Sequence, residues 1–208
     1  TIGCGGDQRP DFCGGVAVVV KHARDLADEV DRLLDRPKEW RRIVGPIAAR
    51  IERAVLPLAS LQSEAELRKF AADKRSNASI AARAFLAKLR LRDRGGAPKA
   101  EPFMAQSWQF MEGPALVFLS GEVCVDYQLR IKRQHGSRVW PVAYANATPG
   151  YIVSRRMLKA GGYEAGNSQL YYGWLRPLKP EVEELVLKSV AKVLGGGHQK
   201  DKTARKEK

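Results

Sequence analysis

The stretch ALVFLSGEVCVDYQLRIKRQHGSRVWPVAYA, residues 115–145, decides the fold. Its first five residues are continuously apolar, which favours a strand buried on both faces. A helix is predicted from about residue 122 to 133, and residues 139–145 form a second apolar run typical of a buried strand. Strand, helix and strand in this order predict an α/β arrangement with a crossover connection. We therefore expect an α/β fold, with a mixed sheet flanked by helices, that makes up part of a domain.

Periodicity predicts further elements on both sides of this stretch. Apolar residues recur at helical spacing from residue 19 to 33, and Pro37 ends that amphipathic helix. Ser63 and Glu66 have the spacing of a capping box that begins a short helix, and another helix is expected over residues 79–91. Residues 43–58 fit the spacing of a strand and of a helix, and of the two we expect a strand. The clearest helix begins near Pro180 and ends at Gly195.

Composition limits the class of protein. The chain has 208 residues, of which 44% are apolar and 28% are charged, as in a soluble globular domain. No run of 18 apolar residues occurs, so no transmembrane segment is predicted. The three cysteines have no framework spacing, and the sequence leaves the cellular compartment open.

The net charge of +13 raises the question of a polyanionic partner. Many of the basic residues between 32 and 94 alternate with apolar residues at helical spacing, which is typical of solvated helix faces. No zinc-finger, RRM, KH or homeodomain signature occurs, so nucleic acid is not the partner we expect. A non-catalytic basic module that binds nucleic acid or an anionic membrane stays open as the alternative function.

Polar residues that follow predicted strands are the candidates for chemistry, because sites in α/β sheets gather at the carboxyl ends of strands. Three segments qualify: Ser120-Gly121-Glu122, the segment from Tyr144 to Tyr151, and the segment from Gly161 to Asn167. Each also fits a purely structural interpretation, respectively a helix-capping glutamate, a turn with a half-buried tyrosine, and a surface loop. The three histidines show no HxxxH or HxH spacing, so a histidine site within this sequence is not predicted.

Taken together and in this order, the three segments resemble the carboxy-terminal part of the catalytic domain of the neutral (alkaline) ceramidases. Gly121-Glu122 is similar to the family's Gly-Glu pair, and the resemblance implies that Glu122 is a zinc ligand. The segment from Asn146 to Tyr151 is similar to the family's Asn-x-x-x-x-Tyr, which implies Tyr151 as a second zinc ligand. Twelve residues later, Tyr163 precedes Glu164 as in the family. The implied role of Tyr163 is catalytic, a hydrogen bond to the amide carbonyl and its oxyanion.

The opening loop resembles a further family motif, with one departure. The family has Gly-Asp-x-Ser-Pro, whose serine is the nucleophile. Here Gly6 and Asp7 are kept and Arg9 stands at the serine position. An arginine does not attack a carbonyl, so the resemblance implies either direct attack by zinc-bound water or loss of the amide chemistry.

The family's two histidine zinc ligands precede this loop, and the sequence begins on the loop. We therefore expect residues 1–197 to be the carboxy-terminal part of a ceramidase-like catalytic domain, inactive without an amino-terminal half. Residues 198–208 are expected to form a disordered basic tail. The implied cofactor is zinc, and the implied substrate is an N-acylated, lipid-like amide of the ceramide type.

Overall fold

The computed structural model describes residues 3–9, 14–37, 40–60, 63–72, 82–83, 86, 98–172, 174 and 176–195. Most of the helix expected over residues 79–91, and the whole of the basic tail, lie outside the described residues.

The strands are β1 (Ile47–Pro57), β2 (Ala100–Phe110), β3 (Ala115–Leu119), β4 (Glu122–Val123), β5 (Val139–Val142) and β6 (Tyr151–Ile152). Four of them form the main sheet, in the order β1-β2-β3-β5. β1 is antiparallel to β2 and β2 to β3, whereas β3 is parallel to β5. A parallel two-stranded sheet joins β4 to β6. The expected α/β class with a mixed sheet is confirmed, as is a strand within residues 43–58.

Seven helical segments accompany these strands in the described part of the chain. They are α1 (Val16–Leu34), α2 (Glu64–Ala72), α3 (Val125–His135), α4 (Arg155–Ala160), a π turn (Tyr163–Asn167), α5 (Ser168–Tyr171) and α6 (Val182–Leu194). None of these helices combines the length and the apolar composition that a membrane crossing requires.

The core lies between the main sheet and the helices α3 and α6. The apolar stripe predicted for the last helix is buried, and Val182, Val186 and Val190 are all fully inaccessible. Helix α3 connects the parallel strands β3 and β5, and its Tyr127 donates a buried hydrogen bond to the carbonyl of Val153. The strand–helix–strand unit read from residues 115–145 therefore forms the centre of the fold.

Two helices have side-chain caps, and the first of these is the predicted capping box. The Ser63 hydroxyl accepts from the backbone N–H of Glu66 at 3.2 Å, while the Glu66 carboxylate accepts from the N–H of Ser63 at 2.8 Å. This is the reciprocal geometry of a capping box. Ser154 caps α4 by accepting from the backbone N–H of Met157 at 3.2 Å.

The predicted start of the crossover helix is wrong. The helix begins at Val125 rather than at residue 122, because residues 122 and 123 pair with residues 151 and 152 as strands. Glu122 therefore does not lie in the first turn of the helix. A different carboxylate, that of Asp7, caps the start of the helix: its Oδ1 accepts a hydrogen bond from the N–H of Val125 at 2.8 Å.

Helix α1 also differs from what its pattern suggests. The amphipathic helix is present and ends before Pro37, yet none of its residues is buried. Leu26 exposes 68% of its surface, and Val19 exposes 63%. The periodicity thus predicted the helix but not a partner for its apolar face.

Candidate functional site

Glu122 is placed by the short strand pair β4–β6. Its register partner on β6 is Tyr151, so these two residues, distant in sequence, become neighbours. Gly121, immediately before, has φ +91°, which only glycine adopts readily. A Cβ built on Gly121 would lie 2.6 Å from the side chain of Ile152. Glycine at position 121 is therefore a steric requirement of this junction.

The Glu122 carboxylate accepts hydrogen bonds from two phenols. The Tyr144 hydroxyl donates to Oε2 at 3.0 Å, and the Tyr172 hydroxyl donates to Oε1. Burial raises the pKa of Tyr144 to about 12, and its hydrogen bond to Glu122 adds to this effect. Burial, followed by the charge of Glu122, also raises the pKa of Tyr151 above its usual range. These two phenols therefore stay protonated at neutral pH.

Four tyrosine rings form a connected series beside this carboxylate. Ring centroids are 6.2 Å apart for Tyr172 and Tyr151, 5.9 Å for Tyr151 and Tyr163, and 6.3 Å for Tyr163 and Tyr171. Such distances and the tilted geometry are those of favourable aromatic pairs. With Tyr144, five of the six tyrosines in the sequence lie in this cluster, which we call the tyrosine cluster.

The opening loop, residues 3–9, packs against the strand that carries Glu122. The N–H of Gly6 donates to the carbonyl of Val123 at 3.1 Å. A Cβ on Gly6 would lie 3.0 Å from the backbone oxygen of Glu122, so a side chain would crowd this contact. The Cys4 N–H donates to the Gln128 side chain at 3.0 Å, which ties the start of the loop to α3.

A cleft of about 490 Å³ opens between the loop and the tyrosine cluster. It is lined by Gly6, Asp7, Gln8, Arg9, Tyr163 and Glu164. The structure thus brings the loop residues and Tyr163 to one cleft. Glu122 and Tyr151 do not line the cleft themselves. The Tyr151 ring contacts the ring of Tyr163 on the cleft wall, and Glu122 is the strand partner of Tyr151. The chemical roles expected for these residues stay predictions.

Asn146 has a different position. It is exposed, does not line the cleft, and has φ +65°, a left-handed conformation in which asparagine is several-fold enriched. The left-handed turn conformation therefore explains why an asparagine stands at this position. Tyr144, two residues earlier, has φ +56°, which is unusual for a bulky residue and aims its hydroxyl at Glu122.

Sequence reasoning placed Tyr144 at the start of a candidate segment without giving it a role, and it missed Tyr171 and Tyr172 as members of the site. No motif spacing marks them, since Tyr172 reaches Glu122 only through the fold. One compositional signal was present: five of the six tyrosines fall within residues 144–172.

Glu122 and Tyr151 do not supply the full set of donor atoms that a zinc ion requires. Glu122 and Tyr151 offer two oxygen donors, whereas catalytic zinc sites have three protein ligands, usually including nitrogen. Across the described ranges, no group of three His, Cys, Asp or Glu side chains lies close enough to hold a metal ion. Among the residues that the structure describes, the two expected ligands are therefore too few to hold a zinc ion by themselves.

Comparisons of this chain with protein-family models, with curated proteins and with solved structures find no match. The likeness to the neutral ceramidases therefore rests on the quoted sequence motifs alone.

Proposed function

We propose that this chain carries the carboxylate-and-phenol part of the active site of an amide hydrolase resembling the neutral ceramidases. One observation supports the proposal above all. Glu122, Tyr151 and Tyr163, which come from separate segments, are contiguous and lie against the glycine-containing loop. The motif order alone does not require this convergence.

The position of Tyr163 supports the role proposed for it. It lines the cleft and leaves 49% of its surface exposed, so its hydroxyl is accessible to a ligand. Burial, then the neighbouring Tyr171, raises the pKa of Tyr163, so the phenol remains a hydrogen-bond donor at neutral pH. Donation to the carbonyl oxygen of an N-acyl amide strengthens as negative charge develops on that oxygen, and this lowers the barrier.

Glu122 and its phenols form a preorganised acceptor. Both carboxylate oxygens are held in place, by Tyr144 and by Tyr172 respectively. Glu122 and Tyr151 are the residues that would hold a zinc ion, with nitrogen ligands supplied from outside the described residues. When bound, zinc supplies Lewis acidity towards a carbonyl and acidifies water.

The nucleophile in this proposal is water. Arg9 stands at the position of the family's serine, and a guanidinium group is not a nucleophile towards a carbonyl. Cys4 does not replace it, because burial raises the pKa of this thiol to about 12 and the reactive thiolate is therefore scarce.

The test uses the full natural polypeptide that contains this sequence. We expect it to release fatty acid from an N-acyl amide such as an N-acylsphingosine, and to bind about one zinc ion. Glu122→Gln should lose zinc and hydrolysis, because the amide side chain is a weaker metal ligand. A matched control is Glu164→Gln, which removes a carboxylate from the cleft wall without touching the Glu122 phenol network.

Two outcomes would refute the proposal. One is a metal-free polypeptide with no hydrolysis of N-acyl amides. The other is zinc binding and turnover that Glu122→Gln leaves unchanged. Metal-independent binding to DNA or to anionic vesicles, lost steeply between low and moderate salt, would instead favour the basic binding module.

A further inference from the structure

β1 is a long strand with one unpaired edge. Its eleven residues lie at the end of the strand order, with β2 on one side. The register with β2 runs without a bulge from Ile47 opposite Phe110 to Pro57 opposite Ala100. In the described part of the chain, no strand pairs with the other edge of residues 47–55. An unpaired edge of this length is a template for another strand.

The hydrogen bonds just beyond this edge show which residues face it. The N–H of Leu58 donates to Lys99, on the β2 side. The N–H of Ala59 donates to Pro177 and the carbonyl of Pro57 accepts from Lys179, on the outer side. Because these groups alternate along a strand, the odd-numbered residues of β1 direct their N–H and C=O groups outwards. These residues are Ile47, Ala49, Ile51, Arg53 and Val55.

The two faces of β1 differ in character. On the side of α6, Glu52 pairs with Lys192 at 2.5 Å, and Arg50 lies beside Gly195. On the opposite side, Ile47, Ile51 and Val55 expose between 48% and 62% of their surface. A strand added to the edge would cover part of this apolar surface as well as satisfy the backbone groups.

One self-pairing register makes both faces complementary. When two copies of β1 pair antiparallel about a two-fold axis, one residue lies opposite its own copy. With Ile51 on the axis, Arg50 lies opposite Glu52 of the second copy, and Ile47 lies opposite Val55 of the second copy, each twice. Registers centred on Arg50, Glu52 or Arg53 instead place like charges opposite each other, which is unfavourable.

We propose that the outer edge of β1 is a homodimer interface, in which β1 pairs with β1 of a second copy about an axis at Ile51. The two four-stranded sheets then form one continuous sheet. This interface is independent of the cleft and of the chemistry proposed there.

Helix α6 has room in this arrangement. It contacts β1 through Lys192, and its Val193 carbonyl accepts from Ser107 and Gln109 of β2, so it lies above the β1–β2 pair. With strands about 4.8 Å apart, each α6 is about 5 Å from the two-fold axis. The two copies of α6 are then about 10 Å apart, which is the upper end of normal helix packing distances.

The register is tested by disulfide trapping in the natural polypeptide. At the proposed axis, the Cα atoms of the two Ile51 residues are about 5.5 Å apart, which a disulfide can span. Ile51→Cys should therefore give a covalent dimer on mild oxidation. Ala49→Cys is the matched control, since it faces the same side but lies about 14 Å from its own copy. We expect at least ten times more linked dimer for Ile51→Cys than for Ala49→Cys.

The charge pairing is tested separately by light scattering across a dilution series. The wild-type polypeptide should be dimeric at tens of micromolar. Arg50→Glu should weaken the dimer about tenfold, because it replaces two attractive pairs by two repulsive ones. Combining Arg50→Glu with Glu52→Arg should restore the dimer.

A monomeric wild type would overturn the proposal and leave the edge to a strand of another chain. Equal trapping of the two cysteine variants would overturn the register. A double variant no more dimeric than Arg50→Glu would overturn the charge pairing, provided that circular dichroism shows both variants folded.

Discussion

The buried face of α6 belongs to one helix, whereas the tyrosine cluster is assembled from several segments, and the two regions leave very different amounts of surface exposed. Val182, Val186 and Val190 are completely buried, and their contacts are with the core alone. Four tyrosines of the cluster, Tyr144, Tyr163, Tyr171 and Tyr172, leave between 37% and 49% of their surface exposed. The first region stabilises the fold, whereas the second leaves part of its tyrosine side chains accessible to a ligand.

This difference predicts that substitutions separate stability from chemistry. A change in the α6 face should lower the free energy of unfolding, and whatever activity remains in the folded fraction should be intact. A change of a phenol hydroxyl should lower activity in a protein of unchanged stability. A hydroxyl substitution that lowered stability, or a core substitution that lowered the activity of the folded fraction, would contradict this separation.

The largest effect is expected in the core. Val186→Asp places a carboxylate where the side chain is fully buried and without a charged partner, which should cost about 4 kcal/mol or more in unfolding free energy. Leu26→Asp on the exposed face of α1 is the control and should change stability by about 0.5 kcal/mol at most. Urea denaturation measures both. A large loss for Leu26→Asp would show that α1 has a packing partner.

The second effect concerns catalysis. Tyr163→Phe removes only a hydroxyl from the cleft wall, and turnover of an N-acyl amide by the natural polypeptide should fall about 10²-fold, as for loss of one oxyanion donor. Zinc content and melting temperature should stay at the wild-type values. Tyr171→Phe, on the neighbouring ring, is the control and should have little effect. Unchanged turnover in Tyr163→Phe would remove this residue from the mechanism.

The third prediction lies at the boundary between the two regions. Gly121→Ala should cost about 2 kcal/mol, because φ is positive and the added Cβ would meet the Ile152 side chain. Gly136→Ala is a matched control, since Gly136 has φ +94° but nothing within 4 Å of an added Cβ. The difference between the two melting temperatures isolates the steric part. Equal losses would show that the fit of Gly121 against Ile152 is unimportant.

Much of the fold could be predicted, because local pattern and tertiary structure agree in its centre. The apolar run 115–119 is a buried strand and the stripe of α6 faces the core, as their spacing indicates. The start of α3 was placed wrongly because the strand pairing of residues 122 and 123 depends on a distant segment. Nothing local signals such a pairing. For the same reason α1 was recognised as a helix while the exposure of its apolar face was not foreseen.

The candidate site was predictable to a smaller extent. Gly6, Asp7, Tyr163, Glu122 and Tyr151 do gather in one place, and this followed from motifs rather than from periodicity. Tyr144 and Tyr172, the residues that donate to Glu122, carry no motif. Tyr144 reaches Glu122 through an unusual backbone conformation, and Tyr172 reaches it because the chain folds back towards Glu122 after α5. Sequence spacing indicates neither of these contacts.

The smallest effect is electrostatic and concerns the segment that leads from β6 into α4. Asp126 accepts two hydrogen bonds from the Arg156 guanidinium, at 3.0 and 3.1 Å, and one from the Ser154 hydroxyl. Partial burial by itself raises the pKa of Asp126, but the hydrogen bonds from Arg156 and Ser154 outweigh it and hold the pKa below its usual range.

A carboxyl group whose pKa is lowered on folding stabilises the fold above its unfolded pKa, and this contribution is lost as the pH falls through the folded pKa. Asp126→Asn should therefore lower stability at neutral pH by about 0.5 kcal/mol, the size expected for an exposed ion pair. The deficit should shrink below about pH 4, where the wild-type carboxyl becomes protonated in the unfolded chain and then in the folded chain. Melting curves of both proteins between acid and neutral pH measure it. Arg156→Gln should show the same pH dependence, because it removes the other half of the ion pair. If the loss of stability stays constant down to acid pH in both variants, the charge of Asp126 contributes nothing to the stability of this segment.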